Sequence, residues 1–246
     1  FEEKKEILKE NLKKLMLLIF RPENLFVSVT TDEKGYQGVE GRVSTLRHLL
    51  YQTPIQTGKI NYDLQQRNEG FSTAGQVQYV AVSGNFKEAG YEYTVALRIL
   101  KVILSYDYLW MNIRVKGGAY GCMSNFRKSG DSFLVSYRDP NLKETNEIYE
   151  GIPAYLEAFD PDERDMTKYV IGTISNLDAP LTPSVKGSRG LSAYLSGVTE
   201  EMMQTERDQI LGATKEDIRA LAAQVRAVLA TGSFCVVGNE EKIEAN

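Results

Sequence analysis

Residues Tyr91 to Val115 restrict the fold more than any other part of this sequence. Apolar side chains cover most of the circumference of a helix here and leave a polar line at Arg98, Lys101, Ser105 and Asn112. A helix that is apolar nearly all round must be packed on several sides. Arg98, Lys101 and Asp107 interrupt Val95 to Ile113, which therefore falls short of the roughly 18 uninterrupted apolar residues of a membrane span. The stretch is predicted to be the central packed helix of a layered domain, ended by Gly117-Gly118. The chain has 246 residues, 42% of them hydrophobic, enough to close such a core without disulfides or metal.

What packs on that helix is read from the flanking periodicities. Ile60, Tyr62 and Leu64 alternate with polar residues, as do Val77, Tyr79 and Ala81, which predicts two strands separated by a loop around Gly70. Met123 to Arg127 and Ser132 to Tyr137 read as a hairpin around Lys128-Ser129-Gly130-Asp131. Val39 to Tyr51 reads as a helix ended before Pro54. Asp139-Pro140 and Asp160-Pro161 each place an N-cap residue before a proline suited to the first helical position. Pro153 should kink or shorten the first of these helices. After the proline-bearing loop from Asp178 to Pro183, helices are expected near Gly190 to Val198 and from Thr199 to Leu211. Hairpin strands with clustered helices predict an α+β fold, an antiparallel sheet covered on one face by helices.

The two ends of the chain share a plan. Leu8, Leu12, Leu15, Met16 and Ile19 form a helical stripe, Arg21-Pro22-Glu23-Asn24 stops it, and Leu25 to Thr30 reads as a strand. Near the other end Thr214 and Asp217 make a capping box. Ile218, Leu221, Ala222, Val225 and Leu229 follow as a stripe, and Phe234 to Val237 as a strand. Helix and strand pairs are common, but the repeat also fits a chain that starts inside the last elements of a preceding, similar domain. The opening Phe1-Glu2-Glu3, without an initiator Met or a leader-like run, reads as a piece of something longer.

Composition narrows the chemistry. With 29 basic and 33 acidic residues the net charge is -4, so no electrostatic footprint for nucleic acid or an anionic membrane is visible. One histidine, His48, and two cysteines, Cys122 and Cys235, cannot by themselves furnish a zinc or haem site. The cysteines read as reduced, buried thiols, and His48 as a surface or satisfied core residue of a helix. Gly117-Gly118-Ala119-Tyr120-Gly121 follows a helix and precedes a strand, the reverse of a phosphate-binding loop. Its flanks, Arg114 and Tyr120, are donors six residues apart that could converge on one carbonyl or carboxylate.

Four stretches then carry a resemblance: Arg114-Val115-Lys116-Gly117-Gly118-Ala119-Tyr120-Gly121, Ser136-Tyr137-Arg138-Asp139-Pro140-Asn141-Leu142, Ile171-Gly172-Thr173-Ile174 and Lys186-Gly187. In order and spacing, over about Gln56 to Gly238, they resemble the C-terminal region of the presequence protease subfamily of pitrilysin/insulinase zinc metallopeptidases. The resemblance implies one of four homologous α+β domains, set in two halves that close around a peptide chamber. Residues 1–35 would be the last helix and strand of the preceding homologous domain, 36–54 a connecting helix, and 55–246 the C-terminal noncatalytic domain.

In that family zinc is held in the first domain by His-x-x-Glu-His and a distal Glu, and the motif's Glu activates water. None of that motif is present. The resemblance therefore implies zinc in the parent enzyme, bound by its N-terminal half, and neither metal ligands nor catalytic residues in this chain. The positions that in the family reach across the chamber to the substrate match Arg114 and Tyr120, with Gly117, Gly118 and Gly121 as the supporting turn. The implied partners are the N-terminal catalytic half of the same polypeptide and an unstructured peptide substrate. The implied location is cytoplasmic in a bacterium, and mitochondrial or plastid in a eukaryote. The same fold also serves as proteolytically inactive scaffold or peptide-binding modules, which is the alternative.

Overall fold

The computed structural model describes residues 4–56, 58–63, 65, 67–230 and 232–245. In chain order the elements are α1 (Lys5–Ile19), α2 (Glu33–Tyr36), α3 (Glu40–Leu49), β1 (Glu69–Thr73), β2 (Gln78–Asn85) and α4 (Ala96–Ile103). Helix α4 continues through two π-helical stretches, Leu104–Tyr108 and Trp110–Lys116. Then come β3 (Gly121–Phe126), β4 (Asp131–Asp139), α5 (Lys143–Glu150), α6 (Ile152–Glu157), α7 (Glu163–Leu177), α8 (Pro183–Leu195), α9 (Glu200–Leu211), α10 (Lys215–Ala230), β5 (Ser233–Asn239) and α11 (Glu240–Glu244). These divide into two compact units, one from residues 1–63 and 180–199, the other from 64–179 and 200–246.

The second unit contains the sheet, ordered β1-β5-β2-β4-β3. Its pairings are antiparallel except for β1, which lies parallel on β5 at the edge. Val80 faces Ser136 on one side and Val236 on the other, and Val82 faces Leu134 and Phe234, which fixes one face of the sheet. Val80, Val82, Leu134 and Val236 are buried in one cluster with Leu97, Leu100 and Ile103 of α4, Ile152 and Leu156 of α6, and Leu221 and Val225 of α10. The opposite face is open. Tyr79, its cross-strand neighbour Val237, and Phe71 beyond it are all exposed. The fold is thus α+β, with helices packed on one face of the sheet.

Helix α10 begins as its sequence dictates. The Thr214 amide donates to Asp217 Oδ2 at 2.8 Å, and the Asp217 amide donates to Thr214 Oγ1 at 3.3 Å, the reciprocal bonds of a capping box. The β3–β4 hairpin is also where the sequence places it. Pro153 falls at the start of α6, separated from α5 by Gly151, so the proline divides two short helices.

Other elements differ from expectation. The central helix starts at Ala96 rather than Tyr91, because the Tyr91 amide is already bonded to the Phe86 carbonyl in a closed loop. Residues 60–63 are not strand, and Leu64 lies outside the described residues. The strand is β1, around the Gly70 expected in a loop. It is an exposed edge strand without a buried face, so alternation could not reveal it. Gly70 sits under Ile243 of α11, where a Cβ would collide. In β2 the buried positions are Gln78, Val80 and Val82, the opposite phase to Val77, Tyr79 and Ala81. The run Tyr79-Val80-Ala81-Val82 is apolar in both phases, and Gln78 is accommodated because its Oε1 accepts the Asn239 amide at 2.7 Å.

Helix starts shift by a few residues. Asp139 ends β4, and α5 begins at Lys143. Asp162, not Asp160, caps α7, accepting the Asp165 amide at 2.8 Å. Asp160 instead pairs with Lys215 at 2.6 Å and Arg219 at 2.9 Å. Helix α8 begins at Pro183, capped by Thr182, earlier than Gly190.

The first unit is built from α1, α2, α3 and α8. Residues 25–30 join no ladder, so the expected strand there is absent among the described residues. They lie beside α8 instead. A Cβ on Gly187 would strike Thr30, and the Phe26 and Tyr194 rings are 6.3 Å apart. Helix α1 has no buried residue, and Leu8, Leu12, Leu15, Met16 and Ile19 are all exposed. Within the compact units, residues 180–199 group with 1–63.

Candidate functional site

The end of α4 is wider than an α-helix. The Gly117 amide bonds to Asn112 five residues back, at 3.0 Å, the spacing of a π turn. The cap that follows keeps this width. Ala119 bonds back to Ile113 and Gly118 to Arg114, each spanning one residue more than the matching bond of a Schellman cap. Gly118 takes the left-handed conformation at φ 81°, which glycine adopts without a Cβ penalty. A Cβ on Gly117 would meet the Ile113 carbonyl. Gly121 is the first residue of β3 rather than part of the turn, and a Cβ there would run into the Tyr137 ring.

This cap brings Arg114 and Tyr120 together. Arg114 Nη1 donates to the Tyr120 carbonyl at 2.7 Å, and its guanidinium carbon lies 4.3 Å from the Trp110 ring centre and 5.9 Å from that of Tyr120. Stacking on indole with one donor engaged holds the guanidinium in place and leaves its other donors available. Tyr120 is 59% exposed, packs edge-on to Tyr137 at 5.4 Å, and donates its amide to the Arg138 carbonyl at 3.3 Å. No carboxylate pairs with Arg114 or Arg138 among the described residues. The arrangement presents a phenol and cationic donors to solvent, suited to a carbonyl or carboxylate oxygen.

Trp110, Tyr137 and Arg138 belong to this group and were not anticipated as site residues. Trp110 is the single tryptophan of the chain and stands one helical turn before Arg114, a spacing that places two side chains on one face. The second motif also acts here. Buried Asp139 accepts the Asn141 amide at 2.9 Å and the Thr145 hydroxyl at 2.8 Å, and Asn141 Nδ2 donates to the Gly117 carbonyl at 2.7 Å. Half-buried Cys122 lies next to the cap. Burial, with Asp139 adding to it, pushes its thiol up to about 11 against the opposing charge of Arg114.

A second polar cluster lies elsewhere in the same unit. Glu206 accepts from Arg98 Nε at 2.5 Å, Lys128 Nζ at 2.9 Å and the Tyr93 hydroxyl at 3.4 Å. Burial would raise its carboxyl, but the Lys128 hydrogen bond and the Arg98 charge outweigh it and hold the group below its ordinary value. The cations border an open cavity of about 620 Å³ between α4, the β3–β4 hairpin and α7. Their engagement with Glu206 makes this a tie between elements.

Other candidates stay apart. His48 is exposed in the last turn of α3, and both thiols are free. Among the described residues no three His, Cys, Asp or Glu side chains converge as metal ligands, so the residues present do not fit zinc. Among the same residues no helix is long and apolar enough to cross a membrane.

Over residues 68–239 the chain matches the family described as the PreP C-terminal domain. A protein named HypA from Clostridium perfringens (strain 13 / Type A) is 44% identical over 245 residues, 100% of this chain and 25% of its own length. Presequence protease 1, chloroplastic/mitochondrial, of Arabidopsis thaliana is 34% identical over 243 residues, 98% of this chain and 22% of that protein. The chain thus spans about a quarter of the length of these relatives. Among solved structures, the peptidase M16 inactive domain from Pseudomonas fluorescens superposes with a TM-score of 0.58 at 13% identity, over 83% of this chain and 51% of that one. That likeness concerns the fold. The family match runs from the residue before β1 to the last residue of β5, taking in the whole sheet and the Arg114–Tyr120 cap, and on that ground the chain belongs to the PreP C-terminal domain family.

Proposed function

We propose that this chain is the noncatalytic C-terminal part of a zinc metalloendopeptidase that degrades short, unstructured peptides in a closed chamber. Arg114 and Tyr120 contribute substrate contacts to an active site carried by the N-terminal half of the same polypeptide. The observation that carries the reading is the preorganised cap. Arg114 is stacked on Trp110 and hydrogen-bonded to Tyr120, both are exposed, and no carboxylate neutralises the guanidinium among the described residues. Zinc, held by that other half, would polarise the scissile carbonyl and activate water. The residues of this chain hold the peptide backbone and offer hydrogen bonds where charge develops on the carbonyl oxygen, an effect realised only when the halves close.

The same reading assigns residues 1–35 to the end of a preceding homologous domain and 36–54 to a connecting helix. Its support is α1, whose apolar stripe is exposed among the described residues, as expected of a helix whose partners lie in sequence outside it.

The test uses the full-length parent protein. Arg114→Ala and Tyr120→Phe should each lower peptide turnover by about a hundredfold, the scale of losing one aligned donor to a developing oxyanion, with zinc content unchanged by elemental analysis. Wild-type turnover in both variants overturns the assignment. A parent without His-x-x-Glu-His that binds peptide but cleaves none would instead identify an inactive scaffold.

A further inference from the structure

Arg138 is the one non-glycine residue with positive φ among the described residues, at 50°. The left-handed conformation costs an L-residue with a Cβ about 1–2 kcal/mol, and glycine escapes that cost. The backbone has a clear use for the conformation, since the Arg138 carbonyl accepts the Tyr120 amide. The next residue, Asp139, anchors the chain through Asn141 to the Gly117 carbonyl. Glycine at 138 would supply the same carbonyl with less strain. What arginine adds is its guanidinium, whose carbon lies 5.7 Å from the Tyr120 ring centre on an exposed side chain. Strain kept where it can be relieved points to a use for the side chain that causes it.

We infer that Arg138 is a positioning residue for Tyr120: its carbonyl fixes the tyrosine backbone while its guanidinium, the second beside that ring after Arg114, restrains the phenol in the orientation that meets the peptide. This inference rests on the proposed role of Arg114 and Tyr120. It also accounts for the second sequence motif, in which Arg138 and Asn141 act on the turn formed by the first. A peptide carbonyl or carboxylate oxygen arriving at Tyr120 then meets donors already ordered, so the gain belongs to the chemical step more than to binding.

Arg138→Gly separates side chain from backbone. In the full-length protein it should fold with a thermal midpoint equal to or above wild type, because strain is relieved, while kcat falls by about threefold to thirtyfold, the scale of one cation–π restraint. KM should change little. Arg138→Lys should be intermediate, and millimolar guanidinium chloride should restore part of the Arg138→Gly rate. Arg114→Ala and Tyr120→Phe are measured alongside. If those two are impaired while Arg138→Gly turns over like wild type, Arg138 has no such role and the Arg114–Tyr120 site stands. Loss of rate that tracks loss of stability, with no recovery from guanidinium or lysine, also overturns the inference by showing a structural role. If all three variants match wild type, the site reading itself has failed.

Discussion

At Gly121 a methyl group would have nowhere to go, because the Tyr137 ring of the neighbouring strand occupies the position. Gly121→Ala must displace that ring, and with it the edge-on contact to Tyr120. Overpacking of this kind costs about 1–3 kcal/mol, so the thermal midpoint should fall by several degrees in scanning calorimetry. An unchanged midpoint would show that the ring moves aside freely. At this scale the sequence was readable where a residue's type announces its backbone, as with the glycines at 117 and 118. It was unreadable where the meaning lies in a partner far along the chain. Nothing local distinguishes Arg138 from a solvated strand arginine until Tyr120, 18 positions earlier, is placed beside it.

Elements differ in how openly they declare themselves. Helix α10 carries its cap and its stripe in one short stretch, so start, buried face and end follow directly, and Val228 joins the core beside the expected residues. Strand β1 declares nothing, since its residues are exposed and it is held by backbone bonds to β5. The Glu206 cluster joins α9 to α4 and to the β3–β4 hairpin, and it gives these elements a shared acid sensitivity. Folding lowers the Glu206 pKa relative to the unfolded chain, so its contribution is full above the unfolded value near 4.5 and is lost as pH falls through the folded one. Wild type should therefore lose stability below about pH 4.5, while Glu206→Gln starts about 1–3 kcal/mol lower and shows a shallower acid dependence. Urea titrations at a series of pH values decide this, and parallel curves for the two proteins would remove Glu206 from the acid response.

For the whole molecule, the consequential fact is the contrast between its two compact units. The sheet-bearing unit closes its own core, whereas the apolar stripe of α1 is exposed among the described residues. If 1–35 ends a preceding domain, amide exchange across α1 should be fast in the isolated 246-residue chain and at least tenfold slower in the full-length protein, the core of the other unit being equally protected in both. Equal exchange in α1 would show that the helix has no partner upstream. The fold class and the order of most elements were legible because they rest on periodicity and caps. The grouping of 180–199 with 1–63 was not, because no local pattern records a contact such as Gly187 against Thr30.

That grouping bears on the order in which the protein can fold as it is made. Translation at about 5–20 residues per second releases residue 63 some ten seconds before residue 199. Throughout that interval the first unit lacks α8, and the extended segment 25–30 lacks Tyr194 and Gly187, which it lies against. The sheet-bearing unit is in turn incomplete until β5 enters between β1 and β2. Neither unit can finish in simple N-to-C succession: segment 25–30 waits for α8, and the sheet waits for β5.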